Sequence, residues 1–225
     1  MIDLLSFEKI LPEEINAEVL QDLKQSEGWR IAFDFCDPVN HCNSITDPTV
    51  SNPFTKEKAY SSDAGHILST YHVGEETSTD PNFIKMNTYA EMILNVCLSR
   101  AKHQGYYYKN ASLIRVFWNY YSSSSHGSLH TDSGPWSKMG MDHVLKNKTS
   151  SWYSLVYYLN TCEGCGTKVL DTNDGGKITL HPSIEGNAIL FPSETLHGGT
   201  GAPHMKQRYC VNVMFEAELI KKEEE

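Results

Sequence analysis

The chain lacks clustered basic charge, long apolar runs and a second Cys-x-x-Cys pair, and each lack removes a class of function. Lys and Arg number 19 against 28 Asp and Glu, for a formal net charge of −9. No Lys/Arg cluster exceeds a pair, so the electrostatic footprint of a nucleic-acid or anionic-membrane binder is missing. No apolar run approaches membrane-spanning length. The start, Met1-Ile2-Asp3-Leu4-Leu5, lacks the basic opening and long apolar core of a signal peptide. A cytoplasmic protein with reduced thiols is therefore expected. The six cysteines are Cys36, Cys42, Cys97, Cys162, Cys165 and Cys210. Cys162-x-x-Cys165 has no second such pair to complete a four-thiolate zinc site. It falls in 160–166, which reads as a hairpin turn, and free thiols in a plain turn are the expectation. The sequons Asn110-Ala111-Ser112 and Asn147-Lys148-Thr149 are idle without secretion.

What is present is an ordinary soluble composition, 40% hydrophobic and 21% charged over 225 residues, enough for one domain with a sizeable core. A short helix is expected within 6–25, where Pro12-Glu13-Glu14 opens a first turn and Ile15, Val19, Leu20 and Leu23 recur at helical spacing. Residues 29–33 alternate like a strand, and another is expected near 66–71. The rest of 36–81 reads as long loops, a length that goes with function or mobility. The clearest helix is 82–103: Phe83, Met86, Tyr89, Ala90, Ile93, Leu94, Cys97 and Leu98 form one apolar stripe, with Asp80-Pro81 before it and Gly105 after. Strands follow at 113–120, 128–132, 152–159, 167–170, 177–181, 187–191 and 207–216. Residues 133–150 break that pattern and read as a lid. Short strands between Gly, Asn and Pro turns indicate a sandwich or barrel. The expectation is mainly β with flanking α in a single domain, 1–225, with helices, strands and loops in 1–105 and a strand-rich core in 106–218.

The chain is organised around Gly127-Ser128-Leu129-His130-Thr131-Asp132. In a strand, residues i and i+2 share a face, with Cα atoms roughly 7 Å apart. An imidazole and a short carboxylate at that spacing can meet at one ion, and a third ligand must come from elsewhere. Two histidines and one carboxylate on one face of an octahedron leave three positions open, as in non-haem Fe(II) oxygenases. Alone, His-x-Asp is equally an exposed polar strand. Downstream, 184–199 reads as turn, buried strand, turn, then His197-Gly198-Gly199; a long strand with Arg208 near its start follows. His126, His143, His181 and His204 compete as third ligand. His197 is preferred because it follows the buried strand and precedes Arg208. Of Tyr157 and Tyr158, which alternate faces, one is expected in the core, as is Trp118.

These segments resemble the 2-oxoglutarate- and Fe(II)-dependent dioxygenases, specifically the prolyl 4-hydroxylase-like branch, over roughly residues 112–216. Tyr121 stands nine before His130, where the family carries a Tyr that contacts 2-oxoglutarate. Ser154-Leu155-Val156-Tyr157-Tyr158-Leu159-Asn160 followed by Glu163-Gly164 looks like the family's Tyr-Leu-Asn strand and Gly-rich turn. Ser154 stands where a Thr often hydrogen-bonds the cosubstrate. Pro182 to Phe191 is similar to the family's Pro-x-x-Gly-x-Ala-Leu-x-Phe run, and Arg208, eleven after His197, matches its basic residue. Three departures stand out. The second Gly of the turn is Cys165 or is displaced to Gly166. The Ser two residues after the basic residue is Cys210. Ser122–Ser125 replaces a Gly-containing loop.

The resemblance implies a double-stranded β-helix (jelly-roll) core with one long supporting helix. It implies Fe(II) held by His130, Asp132 and His197, and 2-oxoglutarate anchored by Arg208 with Tyr121 and Ser154. O2 is the co-reactant and ascorbate a candidate reductant. Hydroxylation is favoured because related halogenases lack the carboxylate that Asp132 supplies. The branch suggests a prolyl residue in a peptide or protein as substrate, with free amino acids and other small molecules open, and Trp136 and His126 as substrate contacts. Against it stand a non-catalytic cupin-like metal module and a zinc-dependent hydrolase or isomerase on the same fold. Nucleic acid and membrane are not expected partners, and the oligomeric state is open.

Overall fold

The computed structural model describes residues 4–26, 30–32, 65–72, 79–121, 129–133, 150–171, 176–201 and 206–221. The expected lid over 133–150 and most of the expected loop over 36–81 lie outside these residues, as do Trp136 and His126.

In chain order the elements are β1 (Leu5–Phe7), α1 (Glu13–Gln25), β2 (Arg30–Ala32), β3 (Gly65–His72), α2 (Pro81–His103), β4 (Tyr106–Tyr121), β5 (Ser151–Tyr158), β6 (Cys162–Asp171), β7 (Lys177–Ser183), β8 (Ala188–Pro192), β9 (His197–Gly199) and β10 (Arg208–Lys221). A seven-stranded sheet runs β1-β8-β5-β10-β4-β3-β2 and a three-stranded sheet runs β7-β6-β9. All pairings are antiparallel. This is the expected mainly-β jelly roll with flanking helices.

The period-two alternation of the central strands sorts side chains onto two faces. On β10, Tyr209, Val211, Val213 and Phe215 join Trp118 and Val116 of β4, Leu155 and Tyr157 of β5, and the apolar stripe of α2 in the main core. The residues between them turn the other way: Cys210 packs with Tyr121, Val156, Tyr158, Ile189 and Phe191. The helices therefore brace the outer face and leave the inner face to the site. Tyr157 and Tyr158 are both buried, but on opposite faces. The α2 stripe buries Met86, Tyr89, Ala90, Ile93, Leu94 and Cys97 as expected, and Asp80 caps the helix by accepting from the Asn82 amide at 2.8 Å. α1 is pinned to α2 by Lys85 against Asp22 (2.6 Å) and Glu18 (3.3 Å).

Three expectations need correction. The strand expected over 128–132 reduces to an isolated bridge at His130, and Asp132 sits in a bend beyond it. The turn expected over 160–166 is the start of β6, with a register shift between Cys162 and Gly166. Cys162 and Cys165 are joined as a disulfide rather than standing as free thiols. Both are buried, and their segment lies at the head of the smaller sheet, where the bulge brings the two residues together.

Candidate metal and anion site

Two backbone hydrogen bonds build the metal end of the site. His130 N donates to His197 O, and His197 N donates to His130 O, each at 3.0 Å. Such a mutually bonded antiparallel pair places both side chains on one face, and the two imidazole centroids stand 4.5 Å apart. The Asp132 carboxylate closes the triangle: Oδ1 is 3.6 Å from His130 Nε2, and Oδ2 is 3.5 Å from His197 Nε2. The three ligand atoms lie within 4.8 Å of one another. Among the described residues this is the one group of its kind.

The protonation states suit a divalent cation. His197 Nδ1 lies 2.9 Å from the Thr195 carbonyl oxygen, which accepts from it and fixes the tautomer. Its Nε2 is buried without a hydrogen-bond partner among the described residues. Leaving such an atom bare costs about 1–3 kcal/mol, so it is poised for a ligand. Burial pushes the His197 imidazole down to about 4, against the pull of Asp132. Burial works to raise the Asp132 carboxyl, but Arg115, His197 and His130 outweigh it and hold it well below the ordinary carboxylate range. A neutral imidazole and an ionised carboxylate are the forms a metal takes, so the donor set fits Fe(II).

The same face carries a second feature. Arg208 pairs with Tyr121 across β10 and β4, and is 1% exposed. Its Nη2 donates to Thr167 Oγ1 at 3.0 Å and its Nη1 to the Thr200 carbonyl at 3.3 Å, while Nε has no partner among the described residues. The guanidinium lies over the Tyr121 ring at 4.7 Å and near the Tyr158 ring at 5.5 Å. No carboxylate pairs with it among the described residues. A buried cation held only by neutral groups is costly, and the simplest relief is an anionic ligand. Gly199 lies close against both side chains: a Cβ there would stand 2.8 Å from Arg208 Nη1 and 3.0 Å from the Tyr121 hydroxyl, so the glycine makes room for the arginine and its tyrosine wall.

The structure thus brings His130, Asp132 and His197 together, with Arg208 and Tyr121 along the same inner face. Ser154 joins the metal end instead of Arg208: its hydroxyl donates to Asp132 Oδ2 at 2.6 Å and meets Ser193 Oγ at 2.8 Å. It pairs with Met214, six residues along β10 from Arg208 and so roughly 20 Å away along the strand. His181 is half-buried in β7 and outside the metal group; His126, His143 and His204 lie outside the described residues. Of the two glycine positions left open in the Cys165-Gly166 turn, Gly166 is the constrained one, because a Cβ there would meet the His181 carbonyl at 2.0 Å. Cys210, in place of the expected Ser, is a buried thiol that burial keeps protonated.

Sequence reasoning missed Arg115, Asn212, Thr167 and Thr200. Arg115 Nη2 donates to Asp132 Oδ1 at 2.6 Å, and Asn212 Nδ2 donates to Asp132 Oδ2 at 3.1 Å. The available signal was a lone Arg inside the apolar run Leu113-Ile114-Arg115-Val116-Phe117-Trp118, since an unpaired charge there is unaffordable.

No protein-family model and no curated protein sequence matches the chain. Solved structures do. A prolyl hydroxylase from Trichoplax adhaerens, in complex with a hypoxia-inducible factor oxygen degradation domain peptide fragment, aligns at 17% identity over 96% of this chain and 83% of that one, TM-score 0.53. A Pseudomonas putida prolyl-4-hydroxylase aligns at 11% identity over 96% and 92%, TM-score 0.52. An oxidoreductase of the 2OG-Fe(II) oxygenase family from Burkholderia pseudomallei aligns at 10% identity over 96% and 85%, TM-score 0.61. At these identities the likeness is one of fold.

Proposed function

We propose that the protein is an Fe(II)- and 2-oxoglutarate-dependent dioxygenase that hydroxylates an unactivated C–H bond. The observation that carries this is the pairing, on one inner face, of a His–Asp–His group, with Asp132 and His197 buried and His130 half-buried, and a buried arginine that has no carboxylate partner among the described residues. A metal module without catalysis needs the first and not the second. His130, Asp132 and His197 would hold the iron. Arg208, braced by Thr167 and Thr200 and walled by Tyr121 and Tyr158, would hold the far carboxylate of 2-oxoglutarate. When bound, iron and 2-oxoglutarate together activate O2, and one oxygen atom enters the substrate C–H bond while the other leaves in succinate with release of CO2.

The chain's own residues orient and protect. Thr195 fixes the His197 tautomer so that Nε2 faces the metal position. Burial of both Tyr phenols raises them, Tyr158 to about 12, so the walls around Arg208 stay neutral and donate rather than repel. Asp132 remains charged across the working range because Arg115 stands beside it.

The substrate class we place first is a prolyl residue in a peptide or protein, supported by the likeness in fold to hydroxylases of that kind, one of them in complex with a peptide. Free amino acids and other small molecules form the second class. The test is succinate release from 2-oxoglutarate with Fe(II), first without substrate and then with proline peptides and free amino acids in turn. Turnover that disappears in His130→Ala and Asp132→Ala supports the oxygenase reading, and no iron-dependent succinate under any condition sinks it. Coupling by a free amino acid and by no peptide removes the prolyl assignment alone.

A further inference from the structure

Resting on that reading, we infer that Arg115 is a positioning residue for metal binding, and that it substitutes for the strand geometry the Asp132 segment lacks. In a paired strand the ladder itself would aim a His-x-Asp carboxylate. Here the ladder ends at the His130 bridge, and Asp132 lies in a bend whose described backbone tie is Ser133 N to Ser193 O at 3.2 Å. The carboxylate is instead held by side chains from three adjacent strands of the larger sheet. Arg115 of β4 takes Oδ1 at 2.6 Å; Ser154 of β5 and Asn212 of β10 take Oδ2 at 2.6 and 3.1 Å.

Arg115 is the charged member of this frame and the one with the fewest alternatives. It is 9% exposed between Ile114 and Val116, which are themselves buried. Its guanidinium is seated over the Phe117 ring at 4.3 Å, and its Nε has no partner among the described residues. A guanidinium in that setting keeps one direction, and a charge-assisted bond from it fixes which way Oδ1 points. The inner face of β4 thus carries Arg115 at one end of a row and Tyr121 at the other. Arg115 stands behind the metal carboxylate, and Tyr121, opposite Arg208, marks the anion end. Arg208 serves the cosubstrate; Arg115 serves the ligand that holds the metal.

The test is Co(II) titration of the metal-free full chain, reading the dissociation constant and the ligand-field spectrum. Wild type is compared with Arg115→Met and Arg115→Lys, each checked by thermal melting. Partners one step out from a metal ligand typically account for about 10- to 100-fold in affinity, so Arg115→Met is expected to bind Co(II) weaker by that factor, with a changed spectrum. Arg115→Lys keeps the charge without the planar fork and is expected to fall between the two. Arg115→Met with the wild-type constant and spectrum overturns the inference. Should Arg115→Met fail to fold, Arg115→Lys decides: weaker binding at an unchanged melting temperature supports the inference, and wild-type binding overturns it. Wild type that binds no metal would instead sink the oxygenase reading, so the two failures are distinguishable.

Discussion

Replacing Arg208 by Met should make the ligand-free protein more stable and the cosubstrate site useless. The guanidinium is 1% exposed and makes two hydrogen bonds, one of them at 3.3 Å, with Nε unpartnered. Burying an ion costs several kcal/mol even after relaxation. Two charge-assisted bonds of roughly 1.5–3 kcal/mol each, plus the Tyr121 and Tyr158 faces, offset much of that cost. Swapping even a well-paired buried ion for an apolar residue of similar volume is often neutral or stabilising by about 1–4 kcal/mol, and here the ion has no counter-charge among the described residues. A gain of about 2 kcal/mol is expected, which for a chain of this size raises the melting temperature by roughly 4–8 °C. Affinity moves the other way: losing a bidentate carboxylate contact removes about 3–6 kcal/mol, or roughly 10²- to 10⁴-fold. Melting curves without ligand, and calorimetric titration of N-oxalylglycine in the presence of Mn(II), measure the two halves. A variant that keeps wild-type affinity refutes the anion site, and one that melts lower without ligand refutes the unpaired-charge argument. The opposed signs separate a functional charge from a structural one, because a structural ion pair would lose stability and affinity together.

Gly199→Ala places a methyl 2.8 Å from Arg208 Nη1; N-oxalylglycine binding should weaken about tenfold or more, while Co(II) binding alone stays within about twofold, since a misplacement of ~1 Å is enough to spoil a carboxylate clamp. Leu155→Ala, at a fully buried outer-face position, should cost about 2–5 kcal/mol in denaturant unfolding with little change in Co(II) affinity. The metal-free protein should lose stability as pH falls from about 6.5 towards 4: His197 is pushed down to about 4 in the fold, so the unfolded chain binds the extra proton across that window and folding is favoured above it. The gap is worth roughly 3 kcal/mol, and His197→Phe should flatten the melting-temperature profile there; an unchanged slope would contradict the buried neutral imidazole.

Much of this architecture is legible without coordinates, and the reasons differ by element. The α2 stripe repeats over about four turns, so its period outweighs local noise, and the central strands alternate against two different environments. β1 and β9 are each three residues long and carry no period to read. His130, Asp132 and His197 could be picked out because metal chemistry restricts residue types and because the surrounding motifs resemble a known family. Their geometry could not. The argument from strand spacing picked residues that do converge, but on a false premise, since Asp132 stands in a bend.

What stays invisible in a sequence is the set of partners that lie far apart in the chain and have no motif of their own. Arg115 and Asn212 converge on one carboxylate from 17 and 80 residues away, and there they meet Ser154, whose motif did single it out, though for another partner. Thr167 and Thr200 likewise meet at Arg208 across 41 and 8 residues. Antiparallel register brings the first set together, since β5, β10 and β4 lie side by side and inner-face residues at nearby heights become neighbours whatever their separation in sequence; Thr167, on β6 of the smaller sheet, meets Arg208 from the other sheet. The metal ligands and the arginine name the chemistry, and the sheet register supplies the holders that aim them. A single-residue slip of β10 would turn Arg208 and Asn212 to the outer, helix-packed face and dismantle both ends of the site at once. The long pairing of β10 with β4 and β5 is therefore as much a condition of function as the ligands themselves.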